Sequence, residues 1–136
     1  MNRRDLLLAA TAAALLPAAA RASALAYEPG LVDRELAAGK TLFLDWKASW
    51  CTTCAAQSRV ITALKEETPA YEQSITFIDI DWDIWKDDEI TARFNVPRRS
   101  TLIAVKGDQE LGRLVAQTSR AEIEALMNAA LAAATA

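Results

Sequence analysis

The chain has 136 residues, 52% of them hydrophobic and 24% charged, with a formal net charge of −3. That size and balance suit a single packed domain and exclude a disordered or collagen-like polypeptide. Histidine is absent and the only cysteines are Cys51 and Cys54, so histidine-dependent triads, most zinc sites and haem attachment through a Cys-x-x-Cys-His run are excluded as well.

Residues 1–24 have the layout of a cleavable export signal: a charged start at Asn2-Arg3-Arg4-Asp5, an apolar run from Leu6 to Leu16, and small residues ending in Ala22-Ser23-Ala24. The Arg3-Arg4 pair ahead of Leu6-Leu7, with Arg21 near the cleavage point, resembles the twin-arginine signal of bacteria, and the general secretory route is the alternative. An uncleaved anchor is disfavoured, because the apolar run falls short of the roughly 20 residues that span a bilayer and Pro17 interrupts it. Cleavage after about Ala24 then leaves residues 25–136 as a periplasmic domain that does not span the membrane. The signal carries away three basic residues and one acidic residue, leaving a formal charge of −5, which argues against a nucleic-acid partner.

Beyond the signal, Leu31, Val32, Leu36 and Ala37 recur at helical spacing, and Gly39 follows as a stop, which predicts a helix over residues 29–38. Residues 41–46, Thr-Leu-Phe-Leu-Asp-Trp, form a compact apolar run that suits a central strand covered on both faces, with Asp45 as the one residue that needs explaining. Val60, Ile61 and Leu64 share one face of a helix running from Cys51 to about Glu67. The β-branched run at residues 75–81 predicts a second strand, followed by a short helix over 87–94. Strands at 101–105 and 110–115 flank Gly107-Asp108, a hairpin signal, and an Ala-rich helix over 121–131 closes the chain. The four tryptophans, Trp46, Trp50, Trp82 and Trp85, crowd the middle of the sequence, and the region they occupy is expected to surround the functional centre.

A Cys-x-x-Cys pair at the start of a helix puts two sulfurs on its first turn, close enough to bond without large backbone movement. The loop such a bond closes is so short that it removes little freedom from the unfolded chain, so redox cycling is a better reason for the pair than stabilisation. Cys51, at the positive end of the helix dipole, is the sulfur favoured as a thiolate. Cys54, one turn in, is suited to displace whatever Cys51 captures. A structural bridge and metal capture stay open as alternatives, the latter needing carboxylates or a second copy to complete four ligands.

The run Asp45-Trp46-Lys47-Ala48-Ser49-Trp50-Cys51-Thr52-Thr53-Cys54 resembles the thioredoxin family, and the order of strands and helices extends the resemblance over residues 28–134. It implies an α/β, three-layer fold with a central mixed β-sheet flanked by helices. It also implies Cys51 as nucleophile, Cys54 as resolving thiol and Asp45 as a buried carboxylate that helps deprotonate Cys54 through a water, a role that fits the rise in pKa that burial imposes. Trp50 is expected to shield the disulfide and contact substrate, together with Arg99, Ser100 and Thr101 at the turn that faces the cysteines. No cofactor or resident metal is implied.

Three departures from the family pattern stand out. Ser100 occupies the position of a cis-proline; a cis bond before a residue other than proline costs roughly 2.5–4 kcal/mol, so a trans Arg99–Ser100 bond is expected. Thr52-Thr53 is neither the Gly-Pro of cytosolic reductants nor a His-containing pair of strong oxidants, which leans towards reductase or isomerase work. Phe77 stands where a lysine is common, and Lys47 is expected as a solvated strand-end lysine, with a charge near the site as the alternative. The resulting expectation is a thiol–disulfide oxidoreductase acting on exported proteins and drawing electrons from a membrane-bound thiol donor, since the family's soluble reductase is cytosolic. The rival is a metal-handling or redox-inactive partner-binding module. Arg98 and Arg99 are suited to an acidic stretch on a partner, or simply form a solvated basic turn.

Overall fold

The computed structural model describes residues 24–136, so the expectations for the export signal lie outside the described residues. Five strands, β1 (Leu25–Ala26), β2 (Thr41–Lys47), β3 (Ile75–Asp81), β4 (Thr101–Lys106) and β5 (Gln109–Val115), form one sheet in the order β1-β3-β2-β4-β5. β1, β3 and β2 run parallel, and β4 and β5 join antiparallel. The helices are α1 (Leu31–Ala37), α2 (Thr52–Glu67), α3 (Ala70–Ser74), α4 (Trp82–Trp85), α5 (Glu89–Arg93) and α6 (Arg120–Ala134). Among the described residues no helix is long and apolar enough to cross a membrane.

Side chains alternate across a strand, so β2 serves two cores at once. Phe43 packs with Phe77, Leu102 and Ala104 against Ile61 and Leu64 of α2, Tyr71 of α3, and Ile123 and Met127 of α6. Leu42, Leu44 and Trp46 point the other way, onto Ile78, Ile80, Ile103, Leu31, Val32 and Ile90. Burial on both faces is why β2 reads as one unbroken apolar run, and why the sheet is the middle of three layers. Asp45 falls in the same alternation as Phe43 and therefore lies on the α2 side.

The elements that differ from expectation do so for local reasons. α1 starts at Leu31, because Gly30 takes a left-handed backbone (φ 86) that a helix cannot continue through. The helix expected over 87–94 narrows to α5, since the Asp88 side chain accepts from the Ile90 amide at 3.1 Å and sets the start. α4 is a single turn capped by Asp81, which accepts from Asp83 N at 3.0 Å. The tryptophans divide: Trp46 is wholly buried and donates to Thr91 Oγ1 at 2.9 Å, tying α5 to β2, and Trp85 meets Tyr27 edge-on. Trp82 packs against the cysteines, and Trp50 directly precedes Cys51.

Replacing Leu44, wholly buried in the central strand, by alanine is expected to lower the unfolding free energy by about 2–5 kcal/mol. A urea titration at unchanged m-value reads this directly. A loss below about 1 kcal/mol contradicts two-sided packing of β2.

Candidate active site

β2 delivers the chain to the site, and residues 48–50 turn it into α2. Cys51 is the N-cap of that helix (φ −88, ψ 112), and its Sγ accepts from the Cys54 amide at 3.1 Å. Both cysteines are free thiols, 4% and 2% exposed, packed with Ala48 and covered in part by Trp82. Burial by itself pushes the Cys51 thiol up. Hydrogen bonds from the Cys54 side chain, the Ser100 hydroxyl, the Cys54 amide and Arg99 outweigh it and hold Cys51 down at about 7. Cys54 goes the opposite way, raised by burial and by its hydrogen bond to Cys51. The two thiols are thereby differentiated into an ionisable sulfur and a protonated partner.

Ser100 reaches both of them, its Oγ lying 3.2 Å from Cys51 Sγ and 3.0 Å from Cys54 Sγ. No peptide bond among the described residues is cis, so the Arg99–Ser100 bond is trans, and Ser100 instead takes a left-handed backbone with φ 63. Its amide donates to the Trp46 carbonyl at 2.7 Å, and its carbonyl accepts from Ala116 N at 2.9 Å. Gln57, buried on α2, donates to Ser100 O at 3.0 Å and to Gln117 O at 2.9 Å. Thr101 is completely buried and its hydroxyl donates to Arg98 O at 2.7 Å. Its side chain therefore fastens the turn instead of meeting substrate, a correction to the expected role.

Above the thiols, Trp50 is 56% exposed and its indole N–H donates to the Asp83 carboxylate at 2.9 Å. The Arg99 guanidinium stacks 4.6 Å from the Trp50 ring centroid, a cation–π contact that holds the arginine beside Cys51. Arg99 is thus partly packed and not a freely solvated turn residue. Asp83 and Gln57 are parts of the site that sequence reading missed. The signal for Gln57 was present, for it stands four residues before Ile61 on the apolar stripe of α2, where a polar group must have a buried partner.

Below the thiols lies Asp45, 6% exposed. Burial pushes its carboxyl up to about 7 against the opposing pull of Lys47, the direction expected of a carboxylate withdrawn from water. Lys47 Nζ is 3.8 Å from Asp45 Oδ2 and 4.0 Å from Asp79 Oδ2, and it donates to Ser58 Oγ at 2.9 Å. This corrects the expectation of a solvated strand-end lysine: the charge belongs to the site. Lys65 of α2 places its ammonium 3.8 Å over the Phe77 ring, so a cation reaches the position where the family pattern would have supplied one from β3. Asp45, Lys47, Ser58, Lys65 and Asp79 line a cleft of about 340 Å³. Among the described residues no group of three or more His, Cys, Asp or Glu side chains is placed to hold a metal ion.

A mixed five-stranded sheet carrying a reduced Cys-x-x-Cys at the mouth of a helix, with a buried acid beneath, defines the thioredoxin-fold class. A family model described as Thioredoxin matches residues 28–129, with Cys51 and Cys54 in the active-site position. The chain belongs to the thioredoxin family, a family of thiol–disulfide oxidoreductases. Among solved structures, Trxlp from Edwardsiella tarda is 28% identical, with 76% of this chain and 98% of that chain covered at a TM-score of 0.66. The germline-specific thioredoxin protein Deadhead from Drosophila melanogaster shares the fold at 20% identity, covering 79% of this chain and 97% of its own at a TM-score of 0.61. Thioredoxin H5 of rice, Oryza sativa subsp. japonica, is 30% identical over 77 residues, 57% of this chain. The match spans about half, 53%, of that rice protein.

The Asp45 carboxyl has a folded pKa of about 7 against 3.8 for the free group, so the folded state keeps its proton through a window in which the unfolded chain has lost it. Its contribution to stability is fully present below about pH 4 and is lost as pH rises to about 7, on the order of 4 kcal/mol at full effect. Asp45→Asn is therefore expected to be more stable than the parent at pH 8, with the gap closing near pH 4. Urea titrations of both reduced proteins across that range measure it, and a gap independent of pH contradicts the buried carboxyl.

Proposed function

We propose that this protein is a bacterial periplasmic thiol–disulfide oxidoreductase that reduces or exchanges disulfides in exported proteins through a mixed disulfide on Cys51. The observation that carries the reading is the division of labour between two sulfurs one helical turn apart, the first held down near neutral pH and the second held protonated. The export and location parts rest on the arginine pair, apolar run and small-residue site of residues 1–24.

In the reaction, the Cys51 thiolate attacks one sulfur of a substrate disulfide. The substrate S–S bond breaks, and its electron pair leaves with the other sulfur. Cys54 then gives its proton through a water to Asp45 and attacks Cys51 Sγ. The mixed disulfide breaks, the second substrate thiolate departs, and the protein holds a Cys51–Cys54 disulfide. Two electrons have passed to the substrate, whose sulfurs take up two protons. A membrane-bound thiol donor returns the pair to the dithiol. Trp50, exposed and braced by Asp83, offers the substrate an apolar surface beside Cys51.

Cys51→Ser is expected to abolish reduction of a model protein disulfide, whereas Cys54→Ser retains the first attack and accumulates a mixed disulfide that mass spectrometry identifies. Capture at Cys51 of the parent by an alkylating reagent should rise with pH to half its limit at about 7. Turnover that survives Cys51→Ser, or alkylation that begins only at alkaline pH, overturns the assignment.

A further inference from the structure

We propose that the Ser100 hydroxyl is a catalytic residue of the redox centre, donating its one hydrogen to the Cys51 sulfur in the resting dithiol and to the Cys54 sulfur once Cys51 is tied up in the mixed disulfide. The inference rests on the Cys51 exchange cycle proposed above and adds a third member to it.

The geometry is that of a rotor between two acceptors. One oxygen lies 3.2 Å from Cys51 Sγ and 3.0 Å from Cys54 Sγ, so turning the O–H bond moves the hydrogen from one sulfur to the other with no heavy atom displaced. In the resting pair the Cys54 thiol and the Ser100 hydroxyl both donate to the Cys51 thiolate, and the hydroxyl oxygen stays within reach of the Cys54 sulfur. When Cys51 bonds to substrate sulfur it loses its charge, and the developing charge is on Cys54. The hydroxyl then serves the new thiolate, and no proton crosses it. Cys54 needs this help, because it is almost without solvent contact and a buried thiolate lacking a donor is costly. The other charged groups that face the pair are Arg99, from the turn before β4, which favours a thiolate, and Asp45, from β2, which opposes one.

The backbone supplies an independent argument. At φ 63 Ser100 occupies a conformation that suits glycine. The turn carries a side chain there nonetheless, and the only polar atom of that side chain bridges the two sulfurs. Strain retained at one residue whose substituent touches both reacting atoms is the pattern of a functional position. A proline at this place has no hydroxyl to offer either sulfur.

The test separates the hydroxyl from the backbone by comparing Ser100→Gly with Ser100→Ala in the full chain. Both lack the hydroxyl, but only glycine relieves the left-handed turn, so Ser100→Gly should melt at or above the temperature of Ser100→Ala. Thiolate absorbance should show the Cys51 titration midpoint raised by about one unit in both variants. Rapid mixing with dithiobis(nitrobenzoate) releases one coloured thiol when Cys51 attacks and a second when Cys54 resolves. The second release at pH 7 should slow about tenfold in both variants. A glycine variant that titrates and resolves like the parent overturns the proposal, as do changes that follow melting temperature instead of the hydroxyl. If the parent itself releases no thiol, the exchange reading fails, while the titration still decides whether Ser100 holds the Cys51 charge.

Discussion

Three hydrogen bonds to one residue set the geometry of this protein's reactive end. The Ser100 amide is tied to the last part of β2 through Trp46, its carbonyl is shared between Ala116 beyond β5 and the Gln57 amide of α2, and the Thr101 hydroxyl closes the turn onto the Arg98 carbonyl. Each buried bond of this kind is worth about 1 kcal/mol net, and leaving its partner unpaired costs about 1–3 kcal/mol. Together they offset the roughly 1–3 kcal/mol of a left-handed serine. The position of the Ser100 hydroxyl against the sulfurs and that of Arg99 against Trp50 follow from this turn. Gln57 links this turn to the same helix whose N-terminus carries Cys51, so the two halves of the site are tied directly to each other.

Two groups of the site, one sulfur of the pair and the buried carboxyl, are brought to the same protonation range by opposite physics. Cys51 is drawn down to about 7 by donors that prefer its charged form, and Asp45 is driven up to about 7 by the loss of water around its charged form. The Lys47 ammonium does not reverse the second effect, because at 3.8 Å from one carboxylate oxygen it leaves Oδ1 buried without a partner. Both groups can therefore change protonation state at neutral pH without either being a strong acid or base. The cleft that Asp45 lines gives its proton a route to solvent.

The sequence carries the fold wherever burial imposes a period. β2 is legible because two-sided burial makes it a nearly continuous apolar run, β3 through its β-branched residues, and α2 through Val60, Ile61 and Leu64. The cysteine pair and Asp45 are legible because their spacing from the end of β2 is short and local. What escapes is defined by partners far along the chain. β1 is a strand only because Ala26 and Leu25 meet β3, and the single turn of α4 owes its start to one aspartate cap. Nothing in a serine's identity announces a positive φ, since that conformation is imposed by Trp46 of β2, Gln57 of α2 and Ala116 just beyond β5. Lys47 reads as a strand-end cation until the cleft between α2 and β3 shows which way it turns.

The margins of the sheet have a consequence for the company such a molecule can keep. Among the described residues, one border is a strand of two residues, Leu25–Ala26, and the other is β5, where Glu110 and Arg113 are paired and Arg113 also donates to the Phe94 and Asn95 carbonyls. Neither border presents a long, flat, apolar row of free amides and carbonyls, which is what a loose polypeptide needs in order to zip on as another strand. A polypeptide held at this end of the molecule would therefore be held through sulfur, by a bond that exchange can reverse, and not through backbone pairing.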